Sequence, residues 1–184
     1  MDEQLVAFLR DLIETRNTQL EKLIPRISAA AQTCVATLTG DSRIFCWGNL
    51  DCYNIANIFS RQLLHQYRIE RPALPCLILE RELEQANRQI KALPRPGDLL
   101  LLFCSSEDSE SVQKIQQAAS ERNLKWLTIG DIAPRGLIAD APTSTDDLAI
   151  YLDVGHKAQV LDSQLAIALS LAGLIDHLLF GSEL

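Results

Sequence analysis

A chain of 184 residues is long enough for one domain that buries roughly 70% of its unfolded surface. Apolar residues make up 47% and charged residues 22%, the balance of a soluble globular protein. Asp and Glu number 24 against 17 Lys and Arg, giving a net charge of -7 with no basic cluster in the sequence, which argues against direct nucleic-acid binding.

In chain order, residues 3–27 place Leu5, Leu9, Leu12, Ile13, Leu20, Leu23, Ile24 and Ile27 at steps of three and four, which predicts an amphipathic helix with a break or kink at Pro25. A second helix is predicted over Ser28–Leu38, stopped by Gly40. The period then changes. RIFCW (43–47), PCLIL (75–79), DLLLLFC (98–104), LKWLTI (124–129) and DLAIYLDV (147–154) are short apolar runs that suit buried strands. Helical stretches lie between them at Tyr53–Tyr67, Glu80–Leu93, Ser109–Arg122 and, briefly, Ile132–Ala139. The stretch ADAPTSTDD (139–147) reads as a loop, and a last helix runs from Lys157 to Phe180.

Alternating strands and helices predict an α/β fold, a three-layer αβα sandwich around a five-stranded, mainly parallel sheet. The chain reads as a single domain over 1–184. Its last helix is apolar almost all round, so it needs cover on more than one side, from the core or from an oligomer interface shared with the first helix.

The five cysteines form no CxxC pair, and Cys46, Cys76 and Cys104 fall in or beside apolar runs, so a reducing cytoplasm is expected. The N-terminal MDEQLVAFLRDLIETR lacks the basic and apolar regions of a signal peptide. The apolar stretch Leu165–Phe180 holds Asp176 and His177 and is too short and polar to span a bilayer.

In a parallel sheet, ligands bind beyond the C-terminal ends of the strands. Two loops qualify, WGNLDCYN (47–54) and CSSEDSES (104–111). Both lead into helices whose free N–H groups favour anions. His65, His156 and His177 read as solvated or structural, and Asp51 with Cys52 or His156 lacks the spacing of a metal site. No cofactor is expected.

CWGN (46–49), QYRIERPALPCLIL (66–79), RPGDLLLLFCSS (95–106) and LIDHLLFGSE (174–183) occur in an order that resembles the sugar isomerase (SIS) domain family, in its phosphoheptose isomerase branch. The ERPALP and LIDHLLF stretches are most similar to the DnaA initiator-associating proteins, DiaA, non-enzymatic relatives that bind the replication initiator as tetramers. The resemblance implies a flavodoxin-like SIS fold and a homodimer or homotetramer in which residues 1–40 help to form the interface.

The family's phosphate loop, approximately STSGNS, aligns with Cys104, Ser105, Ser106, Glu107, Asp108 and Ser109. Its GNGGS loop aligns with Gly48, Asn49, Leu50, Asp51 and Cys52. By the same resemblance the catalytic glutamate falls at Gln62, a metal-binding histidine at Ile58, and the glutamine and catalytic histidine of the last helix at Leu161 and Leu169. Amide and aliphatic side chains cannot move the proton of an aldose–ketose conversion. The segment 80–96 is also shorter than the family's.

Glu107 and Asp108 stand where a sugar phosphate would bring further negative charge. A carboxylate ~6 Å from the phosphate repels it by roughly 1 to 6 kcal/mol, and a helix N-terminus returns about half a positive charge. Asp108 or Glu110 is expected to cap the following helix instead.

Taken together, these substitutions predict a degenerate phosphosugar pocket of Asn49, Asp51, Cys52, Gln62, Ser105, Ser106, Glu107, Asp108 and Ser109. The leading expectation is a non-catalytic, initiator-binding oligomer that presents Leu179 and Phe180 to DnaA. The competing readings are an isomerase-like enzyme or sugar-phosphate sensor with a remodelled pocket, and a general oligomeric scaffold.

Overall fold

The computed structural model describes residues 2–65, 68–132, 148–153 and 156–181. The predicted helix at 132–139 and loop at 139–147 fall almost entirely outside them. Five parallel strands, β1 (Ile44–Gly48), β2 (Cys76–Ile78), β3 (Leu99–Cys104), β4 (Lys125–Gly130) and β5 (Leu148–Tyr151), form one sheet in the order β2-β1-β3-β4-β5. The central strands are legible as continuous apolar runs because both of their faces are covered: β1 and β3 are buried at every position.

Strand alternation divides the core. Ile44, Cys46, Leu99, Leu101 and Phe103 face a layer made by α1 (Asp2–Thr39), α2 (Cys52–His65) and α5 (Lys157–Phe180). Phe45, Trp47, Leu100, Leu102 and Cys104 face α3 (Leu83–Ala92) and α4 (Ser109–Glu121). The result is the expected three-layer sandwich. Although α5 is long and apolar enough to cross a membrane, half of its most apolar window is buried inside this fold.

The break expected at Pro25 does not occur. One helix runs from Asp2 to Thr39 with Pro25 inside it. Pro25 is exposed, so the carbonyl it deprives of a partner, one turn back, can turn to water. Ile27, Ala30, Ala31 and Cys34 then continue the helix into the core.

Candidate active site

The chain passes from β1 to β2 on one side and from β2 back across β1 to β3 on the other, so the strand order reverses between β1 and β3, and a crevice opens beyond their ends. Gly48 ends β1. A Cβ there would lie 2.6 Å from the carbonyl carbon of Cys52, so only glycine lets α2 start this close to the strand. Leu50, at a glycine position of the family loop, keeps a left-handed φ of 49°.

Asn49 is the joint between the two loops. Its side chain is buried, donates from Nδ2 to the carbonyls of Ser105 (2.8 Å) and Asp108 (2.9 Å), and accepts from the Ser105 amide at 2.7 Å. After β3 a single 3-10 turn, Ser106–Asp108, precedes α4, and Asp108 caps that helix by accepting from the Ser111 amide at 3.3 Å. The expected cap is therefore Asp108, while Glu110 pairs with Lys114 at 2.6 Å.

Several donors of the phosphate loop are spent within the protein. Asp131, one residue past β4, accepts from the Ser106 amide at 2.7 Å and from its hydroxyl at 2.6 Å. The Glu107 amide donates to Ser105 Oγ at 3.4 Å. A carboxylate of the chain itself thus occupies the anion-binding face of Ser106.

Three further groups complete the crevice. The Lys157 ammonium, at the start of α5, lies 3.1 Å from Asp51 and 3.0 Å from Glu107, joining the two loops at their rim. Hydrogen bonding to Glu107 and then to Asp51 raises the Lys157 pKa, so it stays charged. Gln164, wholly buried on α5, donates from Nε2 to the carbonyls of Cys104 (2.9 Å) and Ile129 (3.0 Å), at the ends of β3 and β4, while its Oε1 has no partner. Burial pushes the neighbouring Cys52 thiol up to about 11 against a lowering hydrogen bond from Gln164, which favours the protonated thiol.

Eight of the nine predicted pocket residues meet at this crevice: Asn49, Asp51, Cys52, Ser105, Ser106, Glu107, Asp108 and Ser109. Gln62 does not, since it lies roughly 15 Å along α2 from Cys52. Leu169 lines a groove between α1 and α5, with Arg16, Leu20 and Arg68. The sequence reading missed Lys157, Asp131 and Gln164. Asp131 had a signal in its place directly after a strand, and Gln164 in being an amide within an apolar helix. Lys157 had none.

The chain matches curated proteins along nearly its whole length. It is 30% identical over 199 residues to the phosphoheptose isomerase of Shewanella sp. strain ANA-3, covering 100% of this chain and 98% of the relative. The chain belongs to the phosphoheptose isomerase family. A second relative, the phosphoheptose isomerase of Halorhodospira halophila, is 29% identical over 97% of this chain and 96% of its own length. Among solved structures, a phosphoheptose isomerase from Francisella tularensis superposes with a TM-score of 0.81 at 23% identity, covering 95% of this chain and 97% of that one. No family model matches the chain.

These relatives overturn the expectation of a non-catalytic, initiator-binding protein, because they carry the name of an enzyme over almost the full length. The physical reason for the error is visible in the fold. The stretches that resembled the initiator-binding branch contribute Arg71 and Asp176, which pair with each other at 2.6 Å in the interior. Those two residues serve the interior of the fold. Leu179 is half-buried against the core, and the 42%-exposed Phe180 ring lies 5.9 Å from the Arg71 guanidinium carbon. The expectation also counted the groups lost at Ile58, Gln62, Leu161 and Leu169 without the charged groups that assemble at the crevice.

Proposed function

We propose that the protein is an aldose–ketose isomerase of the phosphoheptose type, acting on a sugar phosphate in the crevice between β1 and β3. The observation that carries this reading is the full-length likeness to phosphoheptose isomerases at 30% identity. The crevice supports it, being at the point in the sheet where such folds hold ligands and lined by groups able to take part in proton transfer.

Isomerisation moves a proton between adjacent carbons through an enediol, which calls for a base on the carbon and an acid on the oxygen. Asp51 and Glu107 are the carboxylates at the rim, and the ammonium between them can steady the developing oxyanion. The positions that resemble the family's metal-binding and catalytic histidines hold Ile58 and Leu169, which have no donor atoms, and no group of His, Cys, Asp and Glu suited to a metal forms among the described residues. The residues present do not fit the family's metal.

The test is NMR of sedoheptulose 7-phosphate with the protein in D2O. Conversion to the aldose, with solvent deuterium entering at the carbon next to the carbonyl, is expected. Asp51→Asn or Glu107→Gln should slow it by about 100-fold or more if that carboxylate is the base. Neither conversion nor exchange at millimolar substrate would refute the reading.

A further inference from the structure

We propose that Asp131 is a built-in competitor for the phosphate group of the ligand: its carboxylate holds part of the turn after β3 and so sets how tightly this crevice takes an anion. This assignment rests on the sugar-phosphate reading above and deepens it by naming the residue that controls access to the phosphate end of the site.

The fold fixes the place of this carboxylate. Cys104 and Gly130, the last residues of β3 and β4, are register partners. A Cβ on Gly130 would run into the Cys104 carbonyl oxygen, so only glycine lets the two strand ends come this close. Gln164 clamps the same ends from α5 by donating to the carbonyls of Cys104 and Ile129. The residue after Gly130 is thereby delivered against the turn that follows Cys104. There Asp131 Oδ1 accepts from the Ser106 amide at 2.7 Å and Oδ2 accepts from the Ser106 hydroxyl at 2.6 Å.

These are the lengths of charge-assisted hydrogen bonds, and each carboxylate oxygen takes one donor, as two oxygens of a phosphate would. An incoming phosphate has two ways to bind. It can expel Asp131 from Ser106 at the loss of both bonds, or it can settle on the donors left at Ser105 and Ser109 with the carboxylate beside it. Affinity is lowered either way. No cation offsets Asp131 among the described residues, and the Lys157 ammonium is engaged with Asp51 and Glu107. The same sugar without its phosphate meets no such competition, so the effect is specific to the charged end of the ligand.

The experiment is calorimetric titration at low ionic strength with inorganic phosphate, sedoheptulose 7-phosphate and sedoheptulose. The proteins compared are the wild type, Asp131→Asn, Asp131→Ala and Asp131→Ala combined with Ser106→Ala. Both single variants should bind the two phosphate ligands about tenfold or more tightly than the wild type, the effect of removing one charge near a dianion, with sedoheptulose unaffected. Adding Ser106→Ala should return part of the gain, because it removes the hydroxyl that the carboxylate had held. A carboxylate that merely braces the turn predicts the opposite sign, since its loss would loosen the loop and weaken the ligand. Melting temperatures of the unliganded variants show which are folded, and Asp131→Asn, which keeps the size and one acceptor, carries the test if Asp131→Ala unfolds. If the wild type binds the sugar phosphate and folded Asp131→Asn binds it no better, the assignment of Asp131 is overturned and the sugar-phosphate reading survives. If only the Asp131 variants bind it, the competitor stands and the sugar-phosphate reading of the natural chain falls. If none of the proteins binds it, both fall together.

Discussion

Arg71 donates from Nε to Oδ1 of Asp176 at 2.6 Å, with both side chains 1% exposed. The same guanidinium donates to the carbonyls of Gln62 and Leu63 near the end of α2, and to that of Pro72. One side chain therefore fastens the end of α2, the segment leading to β2 and the last turns of α5. Arg71→Ala should cost about 3 to 5 kcal/mol by leaving Asp176 buried without its counter-charge. Urea unfolding measures it, and a loss below about 1 kcal/mol would contradict the role given to the pair.

Phe180 lies against that guanidinium at the surface, 42% exposed. Phe180→Ala should cost no more than about 2 kcal/mol, the scale of a partly exposed cation–π contact, and not the 3 to 5 of a core aromatic. The same unfolding measurement separates the two.

Leu50 holds a left-handed backbone, φ 49°, at a place where the family has glycine. The strain of about 1 to 2 kcal/mol exceeds the entropy that glycine adds to the unfolded chain. Leu50→Gly should therefore stabilise the protein by up to about 1 kcal/mol, read as a higher urea midpoint with an unchanged slope.

The buried cysteines make the fold sensitive to alkali. Burial raises the Cys34 thiol to about 12 and holds Cys46 and Cys104 well above their ordinary value. The unfolded chain loses these protons first, so stability is complete below about pH 9 and falls as pH rises toward 12, by up to about 1.4 kcal/mol per pH unit for each thiol. Urea midpoints at pH 8 and pH 10 should show the fall, and Cys34→Ala should reduce the slope. A midpoint independent of pH over that range would refute it.

The first half of α1 exposes Leu5, Phe8, Leu9 and Ile13, each about half accessible, which suits an interface between copies of the chain. We expect a dimer or larger assembly in sedimentation, and Phe8→Glu with Leu9→Glu should reduce it to the monomer. A wild type that sediments as a monomer at micromolar concentration would remove the case for self-association.

Strands β1 and β3 were legible because a strand buried on both faces writes a continuous apolar run. The two loops were legible because strand ends before helices are where ligands sit. Helix α1 was misread at Pro25, since local rules cannot show that its solvent-facing side tolerates the lost bond. The Lys157 bridge was not legible for a different reason. Asp51, Glu107 and Lys157 belong to separate elements, and nothing in their local sequence indicates that β1, β3 and α5 bring them within 3.1 Å. Chemistry assembled from remote residues is visible only after the topology is known.

Asn49 and Lys157 tie β1, β3 and α5 together at one end of the sheet. A ligand held there contacts parts of the chain that share no local structure, so it can bind only after the whole sandwich has closed. By mass action such a ligand protects every element at once: at 100 times its dissociation constant it would add about 2.7 kcal/mol to global unfolding. Amide hydrogens deep in β3 should therefore slow their exchange together with those of the loops, even though no ligand atom comes near them.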